Sequence, residues 1–271
     1  MKRLIGLEWI KISSYGLFRV ILILTLGLFL LTVFVFSRID ISIPGFTWRN
    51  LFRFPNVWSL FAWVASWFNL LLGILVITIA GNEFSNRTLR QQVITGLSRK
   101  EWLAGKGILI LGLVLFGLVM VGLAGMVFGI IFTPGLSTGM VFRDMDILLV
   151  YMLQSAGYMA LAMLFISVLR SNALAIVLYL LYFILIEPII RGLCPVEIRP
   201  WFPVKIISHL TPLPEFLEVT SGEALADNSL RFEDMGIMPR QLESSTTIIM
   251  AVVYISLFVF LTYYIVKKRD L

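Results

Sequence analysis

Six separated stretches, at residues 18–36, 57–80, 107–132, 147–169, 173–190 and 247–266, are each apolar over the length a helix needs to cross a bilayer. At 1.5 Å per residue, about 20 residues span ~30 Å of hydrocarbon. Backbone polar groups in lipid have to be satisfied within the segment itself, so such stretches fold as helices. Composition points the same way: 59% of the 271 residues are apolar and 14% charged, against ~45–50% and ~25% in soluble domains. The expected fold class is all-α integral membrane, a single transmembrane domain over 1–271 with six spans. What remains outside the spans leaves no room for a separate soluble enzyme domain of about 100 residues.

The charges set an expected orientation. If six spans put both termini on one side, that side holds thirteen of the 22 Lys and Arg residues and four of the 16 Asp and Glu residues. Five of the other nine cations lie in the long 191–246 segment, and long loops cross a membrane largely regardless of charge. Both termini are therefore expected in the cytoplasm, in a multi-pass arrangement. The net charge of +6 is read as this bias, with no nucleic-acid partner. Residues 1–16, carrying Lys2, Arg3, Glu8 and Lys11 with Trp9 and Tyr15, suit an N-terminal interfacial helix. No small-residue cleavage pattern follows the first apolar run, so that span is expected to be retained. Trp48, Trp58, Trp63 and Trp67 gather near the start of the second span, either as a headgroup-level belt or, for at least the latter two, packed inside the membrane.

Small residues mark close packing. Gly125 and Gly129 form a GxxxG pair in the third span, and Ala156 and Ala160 a similar pair in the fourth; these helices contact either each other or another subunit. Only Arg170, Ser171 and Asn172 separate the fourth and fifth spans, which forces an antiparallel pair. After Glu187-Pro188 the 191–246 segment is punctuated by Pro195, Pro200, Pro203, Pro212 and Pro214 yet stays apolar as far as Leu210. Prolines break it into short helices, expected as a broken, partly membrane-associated extracytoplasmic piece that sits in the interface or dips partway into the membrane. Its more acidic continuation, 215–243, is expected to be exposed.

Chemistry is sparse. A transmembrane enzyme needs polar groups at membrane depth, where they are costly, and few stand out. Asn69, Gln154 and Glu187 either hydrogen-bond a neighbouring helix or line a translocation path. His209, the one histidine, has no metal-ligand pattern beside it, and Cys194, the one cysteine, excludes an internal disulfide. Neither an HExxH pair nor a GxSxG elbow occurs. Gly105-Lys106 is not the end of a nucleotide-binding loop, because Lys100 and Gly107 stand where Gly and Ser or Thr are required. The chain is expected to be no enzyme by itself and to bind no cofactor.

The connection between the second and third spans, residues 81–106 (GNEFSNRTLRQQVITGLSRKEWLAGK), is longer than a turn needs. Leu89, Val93 and Leu97 recur on one helical stripe while Arg87, Arg90, Gln91 and Gln92 stay polar, predicting a short amphipathic helix along the membrane. Ser98 followed by Glu101 three residues later predicts a capping box leading into the third span. Such a helix is either an interfacial anchor or a docking surface for a cytoplasmic partner.

This segment resembles the cytoplasmic loop of type 2 ATP-binding cassette (ABC) exporter permeases, which runs Glu, Gly-Thr-Leu, a hydrophobic stretch, Pro, Ser-Arg and Gly-Lys into the third helix. Glu83, Thr88-Leu89, Thr95, Ser98-Arg99 and Gly105-Lys106 fall at that spacing, whereas Arg87 stands in place of the usual Gly and Gly96 in place of the Pro. The resemblance implies a permease subunit that couples ATP hydrolysis in a separate ABC ATPase to export. ATP and Mg would sit in that ATPase subunit, and a second permease, identical or related, would complete the path. The implied cargo is a lipid, hydrophobic peptide or drug-like molecule, and the implied location is a bacterial cytoplasmic membrane. It makes the loop helix a coupling helix, with Leu89 and Val93 as packed anchors and Arg87, Arg90 and Arg99 as polar contacts to the ATPase. Glu83 would fix the loop to the second span, with Thr88 and Ser98 in the same coupling set. The alternative class is a non-transporting membrane scaffold that anchors a cytoplasmic ATPase.

Overall fold

The computed structural model describes residues 6, 8, 10, 11, 15–39, 42–43, 46–86, 88–94, 96, 98–211 and 243–268. Long helices dominate: α1 (Gly16–Ser37), α2 (Val57–Ser66), α3 (Asn69–Ser85), the short α4 (Thr88–Ile94), α5 (Arg99–Phe132), α6 (Thr138–Phe142), α7 (Ile147–Leu169), α8 (Asn172–Leu181), α9 (Glu187–Leu193), α10 (Pro203–Ser208) and α11 (Ser244–Lys268). Among the described residues the one extended piece is a two-residue antiparallel ladder, Ser42–Ile43 with Phe46–Thr47. Among the described residues five helical stretches are long and apolar enough to cross a membrane, and α2 with α3 passes the same test as a pair bent by 42°. The chain is therefore an all-α, multi-pass membrane protein.

Burial separates a centre from a periphery. In the stretch Thr138–Leu169, 61% of the apolar window is buried inside the fold, against 17% in α1, in Asn172–Leu193 and in α11. In α1, Thr25, Phe29 and Val33 recur every fourth residue as one buried stripe, and leucines, isoleucines and valines cover the other faces. Lipid tails are as apolar as leucine, so the outward faces need no polar residues. The α2 helix is buried on nearly every side, and with α3 and α7 it forms the hub against which the other helices lie.

Three interruptions shape the bundle. Between α2 and α3, with neither proline nor glycine at the break, the backbone tightens to i→i+3 bonds, from Trp67 N–H to Val64 O and from Phe68 N–H to Ala65 O. The second expected span is thus two helices rather than one. Between α8 and α9 the backbone widens into a π turn, Tyr182–Ile186; Pro188 has no N–H to give the carbonyl four residues back, and the wider turn accommodates it. Beyond α9 the prolines do break the chain, into a 3-10 turn (Arg199–Trp201) and α10, each with proline in its first turn. The α7–α8 turn is tight, with Arg170 in the left-handed region (φ 53°). Most of the expected N-terminal interfacial helix and the acidic stretch from 215 to 242 lie outside the described residues.

The tryptophan belt is corrected in part. Trp48 and Trp58 are buried, and their indole N–H groups donate to Phe36 O (2.7 Å) and Val141 O (2.9 Å). Trp67 is exposed and sits edge-on to Trp63. An indole whose N–H finds a backbone carbonyl inside the fold has no need of the headgroup region.

Candidate functional site

The ends of α3, α5 and α11, the turn between α7 and α8 and the described N-terminal residues converge at one end of the bundle. After Asn86 the chain forms α4, and Gly96 turns it with φ +99°. Proline is locked near φ −65°, so a proline would not fit this turn, and glycine does. Ser98 then caps α5: its hydroxyl accepts from Glu101 N–H (3.2 Å), while the Glu101 carboxylate accepts from Ser98 N–H (2.8 Å). The capping box therefore starts α5 eight residues before the expected span. Thr88 Oγ1 donates to Glu83 O at 3.2 Å, joining the start of α4 to the end of α3. The side chains of Leu89, Arg90 and Val93, and residues 87, 95 and 97 altogether, lie outside the described residues.

Glu83 sits in a buried charge cluster. Lys106, fully buried near the start of α5, donates to Glu83 Oε1 (2.8 Å) and to Glu8 Oε2 (2.9 Å). Lys11 Nζ lies 3.4 Å from both Glu8 Oε1 and Glu83 Oε1. Trp102, one turn before Lys106, donates its indole N–H to Glu83 Oε2. Two carboxylates and two ammonium groups balance, which is the condition for holding charge away from water. Gly105 makes the approach of Glu8 possible: a Cβ there would lie 3.0 Å from Glu8 Oε1 and 3.2 Å from its Cγ.

Two further contacts close this end. The Arg99 guanidinium donates to Val266 O (3.1 Å) and Lys267 O (2.6 Å), satisfying carbonyls that the end of α11 leaves over. Asn172 Nδ2 donates to Asn82 Oδ1 (2.6 Å), and the Asn82 amide in turn bonds the Tyr15 hydroxyl. Gly81 lets Asn172 approach, because a Cβ there would overlap the Asn172 amide.

Asn69, Gln154 and Glu187 all lie inside the subunit, none more than 1% exposed. Asn69 Oδ1 accepts from Ser155 Oγ (2.9 Å) and Tyr151 OH (3.4 Å) just past the α2–α3 break. The other two hold the segment that carries α10. Glu187 accepts from Val204 N–H (3.0 Å) and Lys205 N–H (2.8 Å), capping α10 from another helix where Phe202, its own N-cap residue, has no side-chain acceptor. Gln154 Nε2 donates to Ser208 O (3.2 Å) and Thr211 Oγ1 (3.1 Å) at the far end of α10. Tyr254 of α11 adds a third tie, its hydroxyl donating to Trp201 O at 2.7 Å. Lys205 Nζ and His209 Nε2 are 2.7 Å apart. Burial, with Arg191 nearby, pushes Lys205 down to about 8; burial, with Lys205 and Arg191 nearby, pushes His209 down to about 4.

The small-residue pairs pack within the chain. A Cβ at Gly125 would lie 2.8 Å from the Trp58 ring, and one at Gly129 would collide with the Phe54 ring, so α5 uses its GxxxG pair to admit aromatic rings rather than a second helix backbone. Ala160 is buried and Ala156 half-buried in the core around α7. Sequence reasoning missed Glu8, Trp102 and Lys106 as a unit. The available signal was a lysine entering an apolar helix, four residues after a tryptophan, in a chain with few acids on the same side. Among the described residues no three His, Cys, Asp or Glu side chains gather as a metal site would require. No protein-family model matches this chain, and no curated protein matches it.

Proposed function

We propose that this chain is the membrane-spanning subunit of an ABC exporter, with six spans, α2–α3 counting as one, and both termini in the cytoplasm of a bacterial cell. The observation that carries the proposal is the construction of the loop between α3 and α5. A short helix, α4, is set between two helix ends that a buried charge cluster and a capping box hold in place. A surface meant to receive force needs such a rigid footing, whereas an anchor that merely floats in the interface does not.

On this proposal two permease subunits, identical or related, form the path and two ATPase subunits bind beneath them. Closure of the ATPase pair on ATP binding displaces α4, and α3 and α5 carry the displacement into the membrane. The displacement requires the ATP-bound and ATP-free partners to differ in their contacts with α4, since a ligand shifts an equilibrium only through differential affinity. With Asn69, Gln154 and Glu187 enclosed within the subunit, the path for a lipid, hydrophobic peptide or drug-like cargo lies between subunits. The α10 segment, tied to three spans, serves as part of the outer gate.

The test is co-purification from the native membrane in mild detergent, with identification of bound proteins and an ATPase assay, repeated with Leu89→Asp and Arg90→Glu. The expected result is an ATPase bound to the natural chain and lost from both variants. Recovery of no ATPase from the natural chain overturns the proposal. A bound ATPase whose activity no hydrophobic cargo stimulates favours the scaffold class instead.

A further inference from the structure

We infer that Lys106 is a positioning residue that clamps the N-terminal segment to the base of α3 and α5, so that the segment moves with the α4 loop as one body. Three segments distant in sequence meet on one ammonium group: Glu8 from the N-terminal segment, Glu83 from α3, and Lys106 itself on α5. Lys106 is wholly enclosed, and the side chains of Glu8 and Glu83 are 7% and 10% exposed. Moving any one of the three away strands a buried charge, which is far more costly than loosening a surface pair. Lys11 repeats the bridge from the N-terminal side.

The packing points the same way. Glu8 lies close against the backbone of α5 at Gly105, where a Cβ would be 3.0 Å from Glu8 Oε1. Tyr15, at the entrance to α1, bonds Asn82 of α3, and Asn82 bonds Asn172 at the start of α8. The N-terminal segment is thus tied to α5 through Glu8 and Lys106, and to the base of α3 through Lys11 with Glu83 and Tyr15 with Asn82. Any displacement of the loop reaches α1 as well as α3 and α5. The transmission half of this inference rests on α4 being the ATPase contact; the clamp itself does not.

The experiment follows tryptic cleavage after Lys11 in the full-length protein, purified in mild detergent with whatever it binds, with and without a non-hydrolysable ATP analogue. The variants are Lys106→Met, the charge-matched Glu8→Gln/Lys106→Met, and Lys106→Arg, with size-exclusion profiles to monitor folding. The double variant keeps the Lys11–Glu83 pair and a neutral balance, so it stays informative where Lys106→Met alone fails to fold. Cleavage is expected to be tenfold or more faster in the double variant than in the natural chain, with Lys106→Arg close to natural. In the natural chain bound to its ATPase, the analogue is expected to change the cleavage rate several-fold; the double variant keeps the ATPase but loses that response. Equal cleavage in the natural chain and a folded double variant overturns the clamp. A nucleotide response that survives in the double variant overturns the transmission. Capture of no ATPase by the natural chain overturns the role of α4 and the transmission with it, while the comparison of cleavage rates still decides the clamp.

Discussion

The two ends of the bundle bury a carboxylate in opposite ways. Glu83 is neutralised by charge: Lys106 and Lys11 face it, with Glu8 as a second anion and the Trp102 indole completing its acceptors. Glu187 is held mainly by dipoles, since its nearest donors are two backbone N–H groups at the start of α10, where the helix presents its positive end. Charge compensation ties together segments far apart in sequence and fails abruptly when one partner goes. A capping carboxylate tethers a short piece of chain, and its loss frees that piece alone.

Lys106→Met breaks the comparison most severely. It leaves two buried carboxylates facing one cation, and the expected loss is about 3–5 kcal/mol, read as a lowered unfolding temperature in detergent. Glu187→Gln is milder, about 1.5–3 kcal/mol, because one charge-assisted bond is lost while an amide oxygen still accepts. Its expected signature is local: Cys194, the one cysteine, lies between α9 and the 3-10 turn and should react several-fold faster with a maleimide while global unfolding shifts little. Gln154→Leu, which frees Ser208 O and Thr211 Oγ1 at the other end of α10, costs about 1 kcal/mol and raises Cys194 labelling less. The effect of pH is confined to the α10 segment. His209 stays neutral in the closed segment until about pH 4, but binds a proton near 6.5 once released. The closed state is therefore at full strength above 6.5 and weakens as pH falls toward 4. Amide exchange over residues 204–208, corrected for its intrinsic pH dependence, should rise between pH 7 and 5, the window in which His209 binds a proton only when released. Lys205, pushed down to about 8, works in the same direction at higher pH: the closed state strengthens as pH rises from 8 through 10.5.

The long apolar helices were legible because bilayer thickness imposes a length and an apolar content that few other structures share. The α7 helix begins and ends at the expected residues, and Ser98 with Glu101 announced the start of α5. The bend after Ser66 was not legible, because no proline or glycine marks it and the tightening is a matter of packing around Trp67 and Phe68. Asn69, Gln154 and Glu187 could be recognised as polar residues in apolar surroundings. Their partners could not, since those of Gln154 and Glu187 include backbone groups of a segment that folds back from 17 or more residues away. The charge cluster escaped for a related reason: Glu8 and Lys106 are 98 positions apart, and no local pattern connects them.

The α11 helix is gripped at two heights. Arg99 holds its last turn by Val266 O and Lys267 O, and Tyr254 holds the 3-10 turn at Trp201. From Tyr254 to Val266 the helix is a rod of about 18 Å, stiff along its axis because every turn is hydrogen-bonded. A rod of fixed length between two joints acts as a strut. If the Arg99 joint rises or sinks, the Trp201 joint has to travel the same distance or one of the two contacts has to let go, and the start of α5 and the 3-10 turn are thereby geared to each other without touching.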